Sequence, residues 1–274
     1  MKIKTILTAV LLGICIVSMP SDMMAQRKST GTRKSATAKK SGSGTASKGA
    51  VKKSPLTKSD LIGKKYVGWF DTGAQTQGNR IYSSLDFKES GLDLNYGNKK
   101  YDCTWNVDNN EVSFTFSNVP VILYSKDNGK TLEGNPSNNK NLPIKYFYLG
   151  EEGTYDKQSL KDKLESGKYI SSLILKFPNG TMIDVPATFK ISVDEDDPEE
   201  MSFKVTGDVE MFNYLGALKG DVSFEENEIE YKGVDGKKHT LKYKDMNKNV
   251  MILPLGQKNL NEVGPTDFVV NIYF

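Results

Sequence analysis

The amino-acid sequence predicts an all-β, antiparallel fold built from barrel or sandwich modules, and three observations support this expectation. Apolar side chains recur at every second position through most of the chain after residue 66, which is typical of half-buried antiparallel strands. Asn-Asn, Asn-Gly and Asp-Gly pairs separate these runs, and such pairs favour tight hairpins. Only two short segments have a helical pattern, so we expect about fourteen to sixteen short strands.

The first 25 residues have the three-part pattern of a secretory signal peptide. Lys2 and Lys4 give a basic start, residues 5–19 carry no charge, and Ala25 offers a small residue for cleavage before Gln26. The apolar run is shorter than the roughly 20 residues that a membrane-spanning helix needs. We therefore expect an exported protein in the periplasm, at the cell surface or outside the cell, and no transmembrane segment after cleavage.

Residues 26–58 form a basic tail of Lys, Arg, Ser, Thr, Gly and Ala with very few apolar side chains. The tail carries ten Lys or Arg and no Asp or Glu, whereas residues 59–274 carry 25 basic and 33 acidic residues, a net charge of −8. Such a segment buries too little apolar surface to offset its ordering entropy, so we expect it to be disordered.

Two functions are open for this tail: a solvated spacer, or an electrostatic arm that binds anionic envelope polymers. No aromatic residue interrupts the basic run, so stacking on nucleic-acid bases is not expected, and no specific nucleic acid is implied. The residues expected to contact a polyanion are Arg27, Lys28, Arg33, Lys34, Lys39, Lys40, Lys48, Lys52 and Lys53.

The remainder of the chain is expected to contain two β modules, residues 59–150 and 151–274. Similar phrases stand near the start of each module: residues 60–66 read DLIGKKY and residues 163–169 read KLESGKY. Each phrase is followed by strand patterns, which indicates a repeated unit. A single larger sandwich or barrel is the alternative.

The second module is expected to begin with a helix over residues 157–166, followed by strands. Asp156 is a suitable N-cap, Leu160 and Leu164 are four residues apart, and Gly167 is a stop signal.

The predicted first strand contains Gly68-Trp69-Phe70, with Gly63 upstream. A Gly–Trp element at the start of an antiparallel meander resembles the first strand of the lipocalin-like, calycin-type β-barrels of exported bacterial proteins. Here Gly68 is directly adjacent to Trp69, whereas the family pattern has one residue between them. The resemblance implies an up-and-down barrel whose mouth holds a small apolar ligand.

Six aromatic residues are the candidates for ligand contacts. Two of them belong to residues 144–149, a run that is apolar on both faces and predicts either a doubly buried strand or a module interface. Two others belong to residues 209–218, which lack strand alternation and predict a plug or part of a binding mouth. The six candidates are Trp69, Trp105, Tyr146, Tyr148, Phe212 and Tyr214.

No catalytic residue, metal site or cofactor is expected from the motifs in the chain. His239 is the single histidine, follows a turn and is expected to be exposed, and one histidine cannot build a typical multi-histidine zinc site. Cys103 alternates with apolar residues and is expected to be a buried thiol. The acidic residues 194–200 lack EF-hand spacing and are expected to form a solvated loop.

These observations lead to the hypothesis of a non-catalytic exported envelope protein. It would bind an apolar or glycan-like ligand, or another envelope component, while the tail tethers it to an anionic surface. The alternative is a structural or interaction domain that docks a protein partner and has no ligand cavity. A hydrolytic enzyme is disfavoured because clusters of His, Cys or carboxylates are missing, although carboxylates that only folding brings together would revive it.

Overall fold

The computed structural model describes residues 55–71, 80–125, 127–193, 201–208, 210–261 and 263–274. The predicted signal peptide, the tail up to residue 54 and the acidic residues 194–200 lie outside these ranges. Residues 55–58, which the prediction assigned to the tail, belong to the described fold, and Leu56 is buried. The Leu56 amide donates to Asn110 Oδ1 at 2.7 Å, so the described fold includes residues that the prediction assigned to the tail.

The described chain consists mainly of strands. Nine precede the first α-helix: β1 (Lys65–Asp71), β2 (Arg80–Phe87), β3 (Leu92–Tyr96), β4 (Lys99–Cys103), β5 (Trp105–Asp108), β6 (Glu111–Phe116), β7 (Val119–Tyr124), β8 (Thr131–Pro136) and β9 (Ile144–Tyr148). Eight follow it: β10 (Ile170–Lys176), β11 (Met182–Val193), β12 (Met201–Thr206), β13 (Leu218–Phe224), β14 (Glu228–Lys232), β15 (Lys238–Lys242), β16 (Val250–Leu260) and β17 (Gly264–Tyr273).

The described helices are short. They are α1 (Lys157–Glu165) and α2 (Glu210–Leu215), with 3₁₀ turns at Lys58–Asp60 and Tyr243–Asp245. The helix expected over 157–166 is observed as α1, because the Asp156 carboxylate accepts a hydrogen bond from the Ser159 amide at 2.8 Å. No helix in the described ranges is both long and apolar enough to cross a membrane.

Neighbouring strands pair in antiparallel registers that largely follow chain order. The N-terminal ladder comprises β1 to β9, and β1 pairs with both β2 and β9. The C-terminal ladder comprises β10 to β17, and β10 pairs with both β11 and β17. The all-β antiparallel prediction is therefore confirmed.

Closure of the sheet into a barrel is not confirmed. In the ranges that the structure describes, no residue register joins β4 to β5 or β15 to β16. The two ladders are joined to each other, because the start of β2 also pairs with β11, placing Arg80 opposite Asp184 and Ile81 opposite Ile183. The division into two modules at residue 150 stays a prediction.

The hairpins depend on residues that tolerate positive φ. Asn109 and Asn110, which the sequence identified as a turn, have φ angles of 47° and 71°, and β5 and β6 meet there. Ser117 and Asn118 make the same kind of turn, with φ angles of 48° and 64°, although serine is a weaker signal for positive φ than asparagine. Both geometries match the twist of two-residue hairpins.

β1 is buried on both faces. Tyr66 and Phe70 face the large apolar core, while Val67 and Trp69 point the opposite way, as the two-residue period of a strand requires. We call the second cluster the seam. It consists of the buried residues Val67, Trp69, Val250 and Tyr273, with Tyr82, Phe147, Leu149 and Ile252 packed against them.

The seam lies between the two ladders, since β1, β2 and β9 contribute one side and β16 and β17 the other. It also explains the apolar run at residues 144–149. Tyr146 faces the core, whereas Phe147 and Leu149 pack against the seam.

Candidate binding cleft

Trp69, predicted as a ligand contact, lies in the seam and is only 7 % exposed. Its ring centroid is 5.7 Å from that of Phe147 and 5.8 Å from that of Tyr273. The Arg80 guanidinium carbon lies 4.3 Å from the Trp69 ring centroid. These contacts give Trp69 a packing role between the ladders.

Trp105 is buried at the edge of the N-terminal ladder. Its indole N–H donates to the Lys88 carbonyl at 3.2 Å, and its ring lies edge-on to Phe87 with centroids 4.8 Å apart. The Lys58 ammonium lies 4.6 Å from the ring centroid. Trp105 therefore covers the end of the core next to the start of the folded chain.

Tyr146 and Tyr148 are two residues apart on β9 and lie on the same face of the strand, but they differ in exposure. Tyr146 is fully buried, and its hydroxyl lies 2.7 Å from that of Ser83. Tyr148 is partly buried, tilts against Tyr66 at 5.5 Å between centroids, and carries the Lys64 ammonium 5.0 Å above its ring. Both rings take part in packing.

Phe212 and Tyr214 belong to α2 rather than to a loop. Phe212 is buried against Gly207, where an added Cβ would lie 2.5 Å from the Phe212 ring. Tyr214 is 37 % exposed. Four of the six candidates thus belong to the large apolar core, Trp69 lies in the seam and Tyr214 is exposed. Their role in ligand binding stays a prediction.

A cleft of about 760 Å³ opens on the C-terminal ladder, at a place that none of these aromatic residues lines. Three segments form it: the loop before α1, the β13–β14 turn and the 3₁₀ turn that follows β15. Its lining residues are Gly153, Tyr155, Asp156, Glu225, Glu226, Asn227, Glu228, Lys242, Tyr243 and Lys244.

Hydrogen bonds to backbone carbonyl groups hold these three segments together. The Tyr243 amide donates to the Asn227 carbonyl at 3.0 Å, and the Tyr243 hydroxyl donates to the Glu225 carbonyl at 2.8 Å. The Gly153 amide donates to the Met246 carbonyl at 3.1 Å. The cleft is therefore built on fixed backbone, as binding sites on rigid scaffolds are.

The cleft is negatively charged, because four carboxylates outnumber two ammonium groups in its lining. Burial, reinforced by the charges of Glu225 and Asp156, raises the pKa of Tyr243 to about 12. The Tyr243 hydroxyl is thus protonated at neutral pH and donates its hydrogen to the backbone carbonyl of Glu225. Its remaining lone pair is available as an acceptor.

The carboxylates of the cleft differ in the hydrogen bonds that they already accept from the protein. Asp156 caps α1, and hydrogen bonds from the Ser159 backbone and side chain lower its pKa. Glu225 accepts a hydrogen bond from the Ser223 hydroxyl at 2.8 Å. The side-chain carboxylates of Glu226 and Glu228 make no hydrogen bond or ion pair with any residue that the structure describes, so these two groups are available to a ligand.

Tyr155 forms the wall of the cleft next to α1. Its hydroxyl donates to the Lys248 carbonyl and accepts a hydrogen bond from the Lys163 ammonium at 2.8 Å. Burial raises the pKa of Tyr155 to about 12. Tyr155 is therefore a neutral, fixed surface of the cleft.

The groups with potential for covalent or metal chemistry lie elsewhere. Cys103 is a buried free thiol, as predicted, and burial raises its pKa. His239 was expected to be exposed, but its side chain is 26 % exposed and lies 2.9 Å from Asp235 Oδ1 while stacking on Tyr231. Within the described ranges, no group of three His, Cys, Asp or Glu is arranged to hold a metal ion.

None of the cleft residues stands out in the sequence. Residues 225–228 read EENE, which is a composition typical of solvated hairpin turns. The other two segments of the cleft, the loop before α1 and the 3₁₀ turn after β15, lie about 70 residues before this turn and about 15 residues after it along the chain. The only available signal is the coincidence of a charged turn with nearby tyrosines.

No protein-family description matches the chain, and no curated protein is significantly similar to it. A search of solved structures finds a protein with unknown function from the DUF3598 family of Nostoc punctiforme PCC 73102. The two share 10 % sequence identity, and the match covers 78 % of this chain and 96 % of that chain with a TM-score of 0.26.

Proposed function

We propose that this chain is a non-catalytic, exported binding protein of the cell envelope. The cleft on the C-terminal ladder holds a polar, glycan-like ligand, and the basic tail binds anionic envelope polymers. The observation that carries this proposal is the cleft itself, with its two uncommitted carboxylates, Glu226 and Glu228, beside the fixed side chains of Tyr155 and Tyr243.

The chemistry of the cleft favours a hydroxyl-rich ligand over an apolar one. Its volume of about 760 Å³ falls within the usual range for small-ligand pockets, roughly 300–1,000 Å³. Carboxylates accept strong, charge-assisted hydrogen bonds from hydroxyl or amino groups. An apolar ligand has less support, because Trp69, Trp105 and Tyr146 are occupied in packing.

The opposite charges of the tail and the folded chain support separate roles. The acidic excess after residue 59 repels the anionic polymers that the basic tail attracts. The tail would therefore tether the protein and leave the cleft facing away from the anionic surface.

We further propose that each ladder is a lipocalin-like module. Support comes from chain-order pairing within β1 to β4 and within β5 to β9 and from the position of β1 between β2 and β9. The C-terminal ladder repeats this arrangement, with β10 between β11 and β17.

Calorimetric titration with saccharides tests the role of the cleft. The mature protein would be titrated with chito-oligosaccharides, soluble peptidoglycan fragments and neutral malto-oligosaccharides. We expect one of these classes to bind, and Glu226→Gln with Glu228→Gln to weaken it by at least about tenfold, because each lost charge-assisted hydrogen bond costs that much.

Glu89→Gln is the matched control, since Glu89 is an exposed glutamate of the β2–β3 turn that does not line the cleft. It should leave the affinity unchanged. If no saccharide binds, or if binding survives the double substitution, the cleft is not a glycan site.

A docking domain without a small ligand is the second candidate, and the packed aromatic side chains favour it. In that case no saccharide would bind, while crosslinking in intact cells would capture an envelope protein at the cleft. Substitution of Glu226 and Glu228 would then reduce the crosslinked product.

Binding to an immobilised polyanion tests the tail. We expect the mature protein to be retained on heparin or lipopolysaccharide at low salt and released as salt rises, because Lys and Arg displace counterions. A variant in which the nine predicted basic residues are glutamine keeps the tail length and should not be retained. Equal retention of both proteins would show that the tail is only a spacer.

A further inference from the structure

Polar side chains cross the seam beside its apolar residues. Register places Arg80 opposite Asp184 between β2 and β11, and Ser172 opposite Asn271 between β10 and β17. Asp184 is fully buried, and Ser172, Asn271 and Tyr273 are each no more than 2 % exposed. Apart from Arg80, whose side chain is 25 % exposed, these polar side chains lie out of contact with solvent, between the two ladders.

Hydrogen bonds link these side chains into one network. Arg80 Nη1 lies 3.5 Å from Asp184 Oδ1, and the nearby Ser172 hydroxyl acts to lower the pKa of the Asp184 carboxyl. The Ser172 and Tyr273 hydroxyls are 3.2 Å apart, and Asn271 Nδ2 donates to the Tyr273 hydroxyl at 3.3 Å. Asp184 and Asn271 thus stand at two ends of the same short network.

Two atoms of this network have no partner among the described residues: Asp184 Oδ2 and Asn271 Oδ1. Both are acceptors when Asp184 is ionised, so the network lacks a donor. A buried acceptor without a donor is costly. One proton on Asp184 removes the negative charge of the carboxyl, and a neutral carboxyl costs less to bury than a carboxylate with an unpaired oxygen.

Arg80 does not fully neutralise an ionised Asp184. Its distance of 3.5 Å exceeds the roughly 2.7–2.9 Å of a good charge-assisted hydrogen bond. The Arg80 side chain is 25 % exposed, and its guanidinium also lies over the Trp69 ring. The carboxyl therefore has one long contact to a positive charge and one unpaired oxygen.

We propose that Asp184 is a proton-binding site in the seam. Its carboxyl is a neutral acid when the two ladders are docked, and its ionisation loosens their contact. Acidification of the surroundings therefore tightens the joint between the ladders.

Among Asp184, Tyr82, Tyr273 and Arg80, Asp184 is the group that changes charge under mildly acidic conditions. Burial raises the pKa of Asp184 to about 6, while Ser172 and Arg80 act to lower it. Burial also raises the pKa of Tyr82 to about 12 and that of Tyr273 well above its ordinary value, so both stay neutral. Arg80 stays charged, and β1 places Asp71, on the same face of the strand as Trp69, opposite Arg80 in the register.

The direction of the pH effect follows from these values. The pKa of Asp184 is higher in the folded protein than the ordinary 3.8, so the folded state binds the proton more tightly than the unfolded state. This stabilisation is complete below pH 4 and is lost as pH rises through about 6. A difference of about two pKa units corresponds to roughly a hundredfold change in the folding equilibrium constant.

Carbon NMR of the aspartate carboxyl groups measures this titration directly. We expect the Asp184 signal to titrate with a midpoint near 6, as burial demands. Arg80→Gln removes the facing positive charge and should move the midpoint higher. A midpoint at or below the ordinary 3.8 would refute the proposal.

Urea unfolding between pH 4 and pH 7 gives an independent test. Relative to Asp184→Asn, the folding equilibrium constant of the wild type should fall about a hundredfold across this range. Asp102→Asn is the control, because Asp102 is exposed on β4, and it should follow the wild type. Parallel curves for the wild type and Asp184→Asn would overturn the proposal.

Hydrogen exchange tests whether the seam itself is the affected part. Amides of β10 and β17 should exchange faster at pH 7 than at pH 5 after correction for intrinsic rates, in the wild type only. Uniform protection at both pH values would contradict loosening. If Asp184→Asn does not fold, the wild-type and Arg80→Gln titrations decide the matter alone.

Discussion

Replacing Trp69 by alanine tests whether the seam holds the two ladders together. The side chain is 7 % exposed and lies against Phe147, Tyr273 and Arg80. A ligand contact at the mouth of a barrel could be truncated at little cost to folding. Truncation of a packed seam residue, in contrast, lowers the stability of the fold. It leaves a cavity between the two ladders, and the surrounding structure relaxes only partly to fill it.

The expected loss is about 4 kcal/mol of unfolding free energy. Truncation of a buried Phe or Trp to Ala costs about 3–5 kcal/mol, and each aromatic pair adds about 0.5–1.5 kcal/mol beyond its buried area. Trp69 has two such pairs, which supports a loss no smaller than the middle of that range. Since domains are typically stable by about 5–15 kcal/mol, the loss would be a large fraction of the total.

Equilibrium unfolding in urea, followed by far-ultraviolet circular dichroism, measures this loss without relying on tryptophan fluorescence. Trp69→Phe keeps a ring against Phe147 and Tyr273 and should lose less. Tyr124→Ala is the control, because Tyr124 is 50 % exposed on β7 and should change stability by no more than about 0.5 kcal/mol.

A loss below about 1 kcal/mol for Trp69→Ala would refute the packing role, since such values are typical of surface positions. The sequence-based prediction of Trp69 as a ligand contact would then regain support. It would require Trp69→Ala to weaken saccharide or apolar ligand binding while leaving the unfolding curve unchanged.

Two further substitutions test local features of the fold. Gly68→Ala places a Cβ 1.9 Å from the Lys145 carbonyl oxygen, so we expect the β1–β9 pairing to break and the melting temperature to fall sharply. Gly91→Ala is its control, because the added Cβ would lie 3.4 Å from its neighbour. Asp156→Ala removes the side chain that caps α1 by accepting a hydrogen bond from the Ser159 amide. Hydrogen exchange of the amides in the first turn of α1 should therefore become several-fold faster.

Much of the fold could be predicted because its signals are local. Alternation at Val112, Phe114 and Phe116 predicts a strand, and all three are buried on one face of β6. The helix α1 was predicted from its cap, its two leucines and its glycine stop. These features depend on neighbouring residues and are visible without knowledge of the tertiary fold.

The seam and the cleft depend on residues that are distant in sequence, and local patterns do not reveal them. A side chain that lines a cavity and one that packs on a second sheet are equally apolar, so Trp69 and Tyr146 were assigned to a ligand site. Their environments in the seam and the core follow from how strands from both ladders pack together. Turn residues such as Glu226 become a candidate site only when distant loops meet them.

The position of the buried Asp184 follows from register rather than from local preference. Ile81 and Ile183 pair with each other and face the core, so the preceding Arg80 and the following Asp184 must face the seam. A slip of one residue would exchange the apolar and charged pairs. Because apolar residues in place of buried charged groups are often neutral or stabilising, stability alone does not account for Arg80 and Asp184. A proton site, in contrast, requires a carboxyl at this position.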